Sequence, residues 1–130
     1  MGTRYLLDTN IAIYLLNGSL PPQALAKVRT MLATECNLSI IAKIELLGWP
    51  FPDKKRQSEA ENFTLASNVY RLTDAVADRT ILLRRAYKIK LGDAVIAATA
   101  LEHNFILITR NTSDFAKIGG LSCLDPFDKP

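Results

Sequence analysis

The sequence predicts a three-layer α/β protein with a mainly parallel central sheet flanked by helices. Three observations predict it. Short apolar runs, such as Tyr5-Leu6-Leu7 and Phe105-Ile106-Leu107-Ile108, alternate with stretches of helical length and period. Turn signals separate them: Asn17-Gly18, Pro21-Pro22 and Gly48-Trp49-Pro50-Phe51-Pro52. No repeat, low-complexity tract or linker interrupts the alternation. Strands alternating with helices favour a sheet covered on both faces, with right-handed crossovers.

In chain order, residues 4–7 read as a strand and 10–17 as a helix. Pro near its start opens a second helix over 22–34. A short strand over 36–40 leads into a helix over 40–48, whose buried side reads as Ile40, Ile41, Ile44 and Leu47. The Trp49–Pro52 segment then breaks the chain. Residues 55–69 form a helix and 70–73 a short strand. Asp74 caps a helix over 75–89. A further helix covers 92–103, a strand 105–109, and a last short strand 121–124.

The chain has 130 residues, 48% of them apolar, enough for one domain with a core of its own. No apolar stretch has the length of a membrane span, and the N-terminus lacks a signal-peptide layout. A cytoplasmic protein is expected. Cys36 and Cys123 match no zinc spacing and read as reduced, mostly buried thiols. His103 is the one histidine, so a histidine-rich metal site is excluded. It should sit at the C-terminal end of its helix. The net charge is only +3, but its distribution is uneven. Arg79, Arg84, Arg85, Lys88 and Lys90 follow one another with no acid before Asp93, and Lys54-Lys55-Arg56 forms a second basic cluster. A basic segment leading into a carboxylate suits a phosphodiester substrate. It also reads as a solvated helix face.

Four acids stand where a parallel sheet gathers a site. Asp8 and Asp114 follow predicted strands, on the rim where open α/β sheets bind ligands. Glu45 lies at the edge of a buried helix face. Asp93 begins an apolar, small-residue stripe with Ile96, Ala97 and Ala100. Each also has a local structural reading. Asp8 and Asp93 can cap helices, Asp114 can end a turn with Asn111 and Ser113, and Glu45 can pair with Lys43. Four carboxylates brought together cannot all stay ionised without a counter-charge, and an oxygen-rich site suits Mg²⁺ or Mn²⁺. Thr9 and Thr109 flank the rim and either orient a carboxylate or serve as ordinary strand-end hydroxyls.

Leu6-Leu7-Asp8-Thr9-Asn10, the helix carrying Glu45, Gly92-Asp93 followed by Ile96-Ala97-Ala98, and Thr109-Arg110-Asn111-Thr112-Ser113-Asp114-Phe115 occur in this order over nearly the whole chain. In this it resembles the PIN-domain ribonucleases, and within them the VapC-type toxins of prokaryotic toxin–antitoxin pairs. The resemblance implies one PIN-like domain over residues 1–130 and a metal-dependent endoribonuclease. It implies that Asp8 and Asp93 hold Mg²⁺ (or Mn²⁺) directly, that Glu45 completes the site and that Asp114 is the fourth acid, with Asn111 as its neighbour. It further implies a homodimer, a small antitoxin that lays an amphipathic helix in an apolar groove, and an RNA target such as a transfer or ribosomal RNA loop. The rigid Gly48-Trp49-Pro50-Phe51-Pro52 turn and the 55–72 region, longer in helix than in flexible loop, depart from the common pattern. Trp49 and Phe51 either line the partner groove or plug the core.

In this reading, water activated by the metal attacks the phosphorus in line, leaving 5′-phosphate and 3′-hydroxyl ends. Arg84, Arg85, Lys88, Lys90 and Arg110 are the candidates for holding the RNA backbone, and Arg110 could instead balance the carboxylates. The chief rival is a PIN-like module that binds RNA or protein without catalysis. A receiver-type phosphotransfer domain needs an adjacent acidic pair after the first strand, and a haloacid-dehalogenase phosphatase needs a second aspartate at position 10. Here the first strand offers only Asp8, and position 10 is Asn.

Overall fold

The structure, a computed structural model, describes residues 2–128. The chain runs β1 (Tyr5–Leu7), α1 (Thr9–Leu16), α2 (Pro22–Met31), β2 (Asn37–Ser39), α3 (Ile40–Leu47) and α4 (Lys54–Ala66). It continues through β3 (Asn68–Tyr70), α5 (Asp74–Ala86), α6 (Leu91–His103), β4 (Ile106–Ile108), α7 (Thr112–Phe115) and β5 (Cys123–Leu124). Every strand pairing is parallel: β1 with β4, β4 with β5, and β2 with β3.

Strand alternation builds the layers. Side chains on a strand alternate between the faces of the sheet. Leu6 and Leu107, opposite each other in register, pack with Val76, Leu83 and Ile96 of α5 and α6 and with Phe115 of α7. Leu7 and Ile108, the next pair, pack on the other face with Ile11, Val28, Leu38 and Leu46. Helices α1 to α4 thus cover one side, and α5 to α7 the other.

β2 lies beside β1, and a fully buried asparagine joins them. Asn37 Nδ2 donates to the Tyr5 carbonyl at 2.9 Å, and Asn37 Oδ1 accepts from Asn68 Nδ2 at 3.1 Å. The strands therefore run β3–β2–β1–β4–β5 across the molecule. From β1 the chain moves to one side for β2 and β3, then returns to the other side for β4. This reversal puts the topological switch point at the C-terminal ends of β1 and β4, the usual place for a ligand in such sheets.

The site-bearing helices have clear local causes. Ser39 caps α3, its hydroxyl accepting from the Ala42 N–H at 3.0 Å. α6 is buried without a break from Ala94 to Ala100, so its small residues let neighbours approach from all sides. It ends at Asn104, whose left-handed backbone (φ 57°) a short polar side chain tolerates. Gly18 makes the predicted turn after α1 with φ 69°.

Several expectations need correction. The buried side of α3 is Ala42 and Leu46, and Ile44 is 61% exposed. Ile41 and Leu47 pack against the core as expected but are only partly buried, and Ile44 is misplaced because the apolar residues of this helix outnumber its core positions. Thr73 caps α5 through its hydroxyl, with Asp74 in the first turn. β3 starts two residues earlier than predicted, at Asn68. Its polar first residue is satisfied by Asn37, a pairing that strand propensity does not see. The single turn α7 has no counterpart among the predicted elements. Cys36 and Cys123 are free but only half-buried. Phe51 packs with the α1–α4 core, while Trp49 is 43% exposed, so the two aromatics of the proline turn divide between the two readings.

Candidate metal centre

Asp8 leaves β1 with extended backbone, and its own N–H donates to the Ile108 carbonyl at 2.9 Å. Only 5% of it is exposed. Its two oxygens have separate donors. The Thr9 N–H reaches Oδ1 and the Thr109 hydroxyl reaches Oδ2, each at 2.8 Å. Thr109 is itself fully buried, and its oxygen accepts from the Asn111 N–H at 3.0 Å. That bond directs the threonine proton toward Asp8. The Thr9 hydroxyl donates to Glu45 Oε1 at 2.6 Å. The strand end, α3 and the loop after β4 are thereby tied into one polar cluster.

Burial pushes the Asp8 carboxyl up from 3.8 to about 6; the Thr109 and Thr9 hydrogen bonds oppose this, and the charges of Asp93 and Glu45 add to it. Asp93 sits in the first turn of α6, whose cap residue Lys90 contributes no side-chain bond, so its carboxylate is not engaged as a helix cap. Burial raises the Asp93 carboxyl as well; Glu45 and, more weakly, Asp114 add to the rise, and Lys90 opposes it. Asp8 and Asp93 thus each feel others of the four, as expected of a shared site. Asp114, in α7, accepts from Asn111 Nδ2 at 3.0 Å. Asn111 therefore serves Asp114 with its side chain and Thr109 with its backbone.

The ion pairs found among the described residues are Arg4–Glu35 and Arg79–Glu102, and neither involves the four acids. Arg110 does not balance them either. Its guanidinium lies over the Phe127 ring, 4.0 Å from the centroid. Lys43 makes no ion pair with Glu45. Among the described residues, no three His, Cys, Asp or Glu side chains form a ready-made ion site. The donor set is nonetheless all oxygen, which fits a hard divalent cation. Mg²⁺ in particular binds through one or two carboxylates and keeps several waters.

Next to the acids is a cleft of about 390 Å³ lined by Arg84, Lys88, Ile89, Lys90, Asp93 and Asp114. Three of the five basic residues singled out from the sequence meet two of the acids there. Arg85 is exposed on α5 outside that lining. Sequence reasoning missed Ile89 and the supports behind the cleft, Tyr87 and Lys117, whose hydrogen bonds span about thirty positions of chain. It also missed Cys123, whose thiol is raised by burial and by the charge of Asp8. His103 ends α6 as expected, with its ring 4.6 Å from that of Tyr70.

The molecule is thus a parallel α/β protein with an acidic rim at the switch point of its sheet. The PIN domain model matches residues 5–121, and the chain belongs to the PIN domain family. It is similar to a chain of a toxin–antitoxin complex from Klebsiella pneumoniae at 32% identity and TM-score 0.75, covering 96% of this chain and 99% of that one. A chain of VapBC-1 from nontypeable Haemophilus influenzae matches at 27% identity and TM-score 0.76, covering 97% and 100%. The fold also matches a chain of VapBC2 from Rickettsia felis bound to a promoter DNA fragment, at 23% identity and TM-score 0.78, covering 94% and 98%. No match was found among curated proteins. Among the described residues, no helix is long and apolar enough to cross a membrane.

Proposed function

We propose that the protein is a divalent-metal-dependent endoribonuclease and the toxin of a toxin–antitoxin pair. The observation that carries the reading is Asp8. It is a buried carboxylate at the switch point, raised to about 6, that feels Asp93 and Glu45 and has no cation paired with it among the described residues. An arrangement that costs folding energy at neutral pH fits a site completed by a positive ligand. Asp8 and Asp93 would hold Mg²⁺ or Mn²⁺, with Glu45 and Asp114 completing the set directly or through water. When bound, the ion supplies a nucleophile from water near neutral pH and charge for the phosphoryl oxygens.

The chain's own residues prepare the site. Thr109 fixes one oxygen of Asp8, and the Thr9 N–H fixes the other. Thr9 also holds Glu45 in place through its hydroxyl. Asn111 keeps Asp114 at the cleft. Basic side chains take the RNA backbone. Arg84, Lys88 and Lys90 are best placed, Arg85 is more remote, and Arg110 would first have to leave Phe127.

The partner reading draws on the likeness to a chain of the Klebsiella toxin–antitoxin complex. An antitoxin helix would cover apolar surface, and a homodimer would cover more. Ile44, Trp49 and Leu91 are large, exposed apolar residues on or just beyond the helices that carry Glu45 and Asp93. A transfer or ribosomal RNA loop is the expected target class.

The test is cleavage of total cellular RNA by wild type and Asp8→Asn with Mg²⁺, Mn²⁺ or EDTA. Discrete, metal-dependent cuts with 5′-phosphate ends are expected, and Asp8→Asn should lose at least about a hundredfold in rate, the scale of a lost metal ligand. Equal cleavage by both proteins would remove Asp8 from the mechanism. RNA or protein binding without any cleavage would make the domain a non-catalytic module.

A further inference from the structure

The cleft beside the acids is bipolar. Asp93 and Asp114 line it together with Arg84, Lys88 and Lys90, and Ile89 adds an apolar side chain to the lining. Its volume of about 390 Å³ falls in the ~300–1,000 Å³ range of small-ligand sites. Two hydrogen bonds hold carbonyls of the basic loop, and a third holds the Tyr87 side chain at its start. Arg84 Nη1 donates to the Ile89 carbonyl at 2.5 Å, and Lys117 Nζ to the Lys88 carbonyl at 2.9 Å. The Gly119 N–H donates to the Tyr87 hydroxyl at 3.1 Å. Lys117 and Gly119 follow α7, which carries Asp114, so the two sides of the cleft are tied to each other. The first two occupy the Ile89 and Lys88 carbonyls, and the ammonium groups of Lys88 and Lys90 have no ion pair among the described residues.

A single small anion would satisfy one side of this cleft and be repelled by the other. A phosphodiester strand satisfies both. Its backbone phosphates would meet the cations, while the acids would hold a divalent ion for the bond to be cut.

We infer that the cleft is the subsite for the phosphate adjoining the scissile one, held by Lys88 and Lys90 with Arg84, and with its nucleoside against Ile89. The inference rests on the nuclease reading above and adds the path of the strand. The RNA passes between the 87–90 loop and α7, and not over Arg85, Arg110 or the Lys54-Lys55-Arg56 cluster.

The test uses the full chain carrying Asp8→Asn in EDTA, with a short fluorescein-labelled single-stranded RNA of mixed sequence, read by anisotropy across a salt series. Removing one cation that neutralises a phosphate should flatten the slope of log affinity against log salt by about 0.7 on a single strand. Adding Lys88→Gln and Lys90→Gln should flatten it by about 1.4, and Lys90→Gln alone by about half as much. Lys54→Gln with Lys55→Gln removes equal charge at the start of α4 and should leave the slope unchanged. Thermal melts followed by circular dichroism confirm that each variant is folded. An unaltered slope for the Lys88/Lys90 pair, or equal flattening by both pairs, overturns the subsite.

Cleavage separates this inference from the one beneath it. If protein with native Asp8 cuts RNA and the Lys88/Lys90 pair binds and cuts as well as it does, the subsite is wrong and the nuclease stands. If nothing is cut with either metal and the slope still flattens as expected, the nuclease reading falls and a phosphate-binding cleft remains.

Discussion

Asp8 illustrates how expensive a buried carboxylate is when no cation is paired with it among the described residues. A buried carboxyl raised from 3.8 to about 6 costs roughly 3 kcal/mol once ionised in both folded and unfolded states. The penalty is absent below pH 3.8, grows as pH rises, and is complete above about pH 6. In EDTA, Asp8→Asn should therefore be more stable than wild type at pH 8, by about 2–3 kcal/mol in urea unfolding, and equal to it near pH 4. Mg²⁺ should narrow the gap at pH 8 by stabilising only wild type. A less stable Asp8→Asn at pH 8 would mean that its hydrogen bonds outweigh its burial. Thr109 makes a second prediction. Thr109→Val removes the donor to Oδ2 and the acceptor for Asn111, and should weaken apparent Mg²⁺ affinity or activity by about 10–100-fold. Thr109→Ser keeps the hydroxyl and should restore most of it. A Val variant with an unchanged Mg²⁺ titration would make Thr109 a packing residue.

Among the elements, α3 and α6 decide where the acids stand. α3 is anchored by its Ser39 cap and two buried residues, Ala42 and Leu46, which leaves Glu45 on its outer side within reach of Thr9. Ser39→Ala should cost about 1 kcal/mol of unfolding free energy, the usual value of a lost N-cap. A loss well under 0.5 kcal/mol would show that packing alone holds the helix start. α6 contributes differently. Close packing along Ala94–Ala100 fixes its axis, and Asp93 then lies beside the cleft at its N-terminal end. Every helix but the single turn α7, and most strands, were legible in the sequence because Pro, Gly and Asn punctuate them and their apolar spacing is regular. The face of α3 was legible only in part: Ile41 and Leu47 pack on the core, but the apolar period of an eight-residue helix did not single out Ala42 and Leu46 as its centre or show that Ile44 is exposed.

Across the whole molecule, the strand pair β2–β3 and the three strands β1–β4–β5 are joined through Asn37, which also accepts weakly from the Tyr70 hydroxyl at 3.4 Å. Asn37→Leu keeps a similar branched outline, though it is larger, and leaves the Tyr5 carbonyl and the Asn68 amide without these partners. Stability should fall by about 2–3 kcal/mol, measured by urea unfolding, because unpaired buried polar groups are costly. A neutral substitution would mean that water replaces the amide. The fold class and the acids of the candidate site could be read from Asp8, Glu45, Asp93 and Asp114 in their sequence contexts. The cleft could not, because Tyr87, Lys88, Lys117 and Gly119 meet only after the chain has closed on itself.

The sequence by itself determined the alternation of strands and helices, the parallel three-layer class and the identity of the acids. These follow from local periodicity, turn residues and residue chemistry. Only the tertiary structure decided that Thr9 and Thr109 orient Asp8 and Glu45, that Arg110 stacks on Phe127, and that Lys88 and Lys90 face a cleft with Asp93 and Asp114. The physical reason is range. Periodicity and capping act over a few residues, whereas burial, carboxylate repulsion and hydrogen bonds between loops depend on distances that exist only in the folded chain.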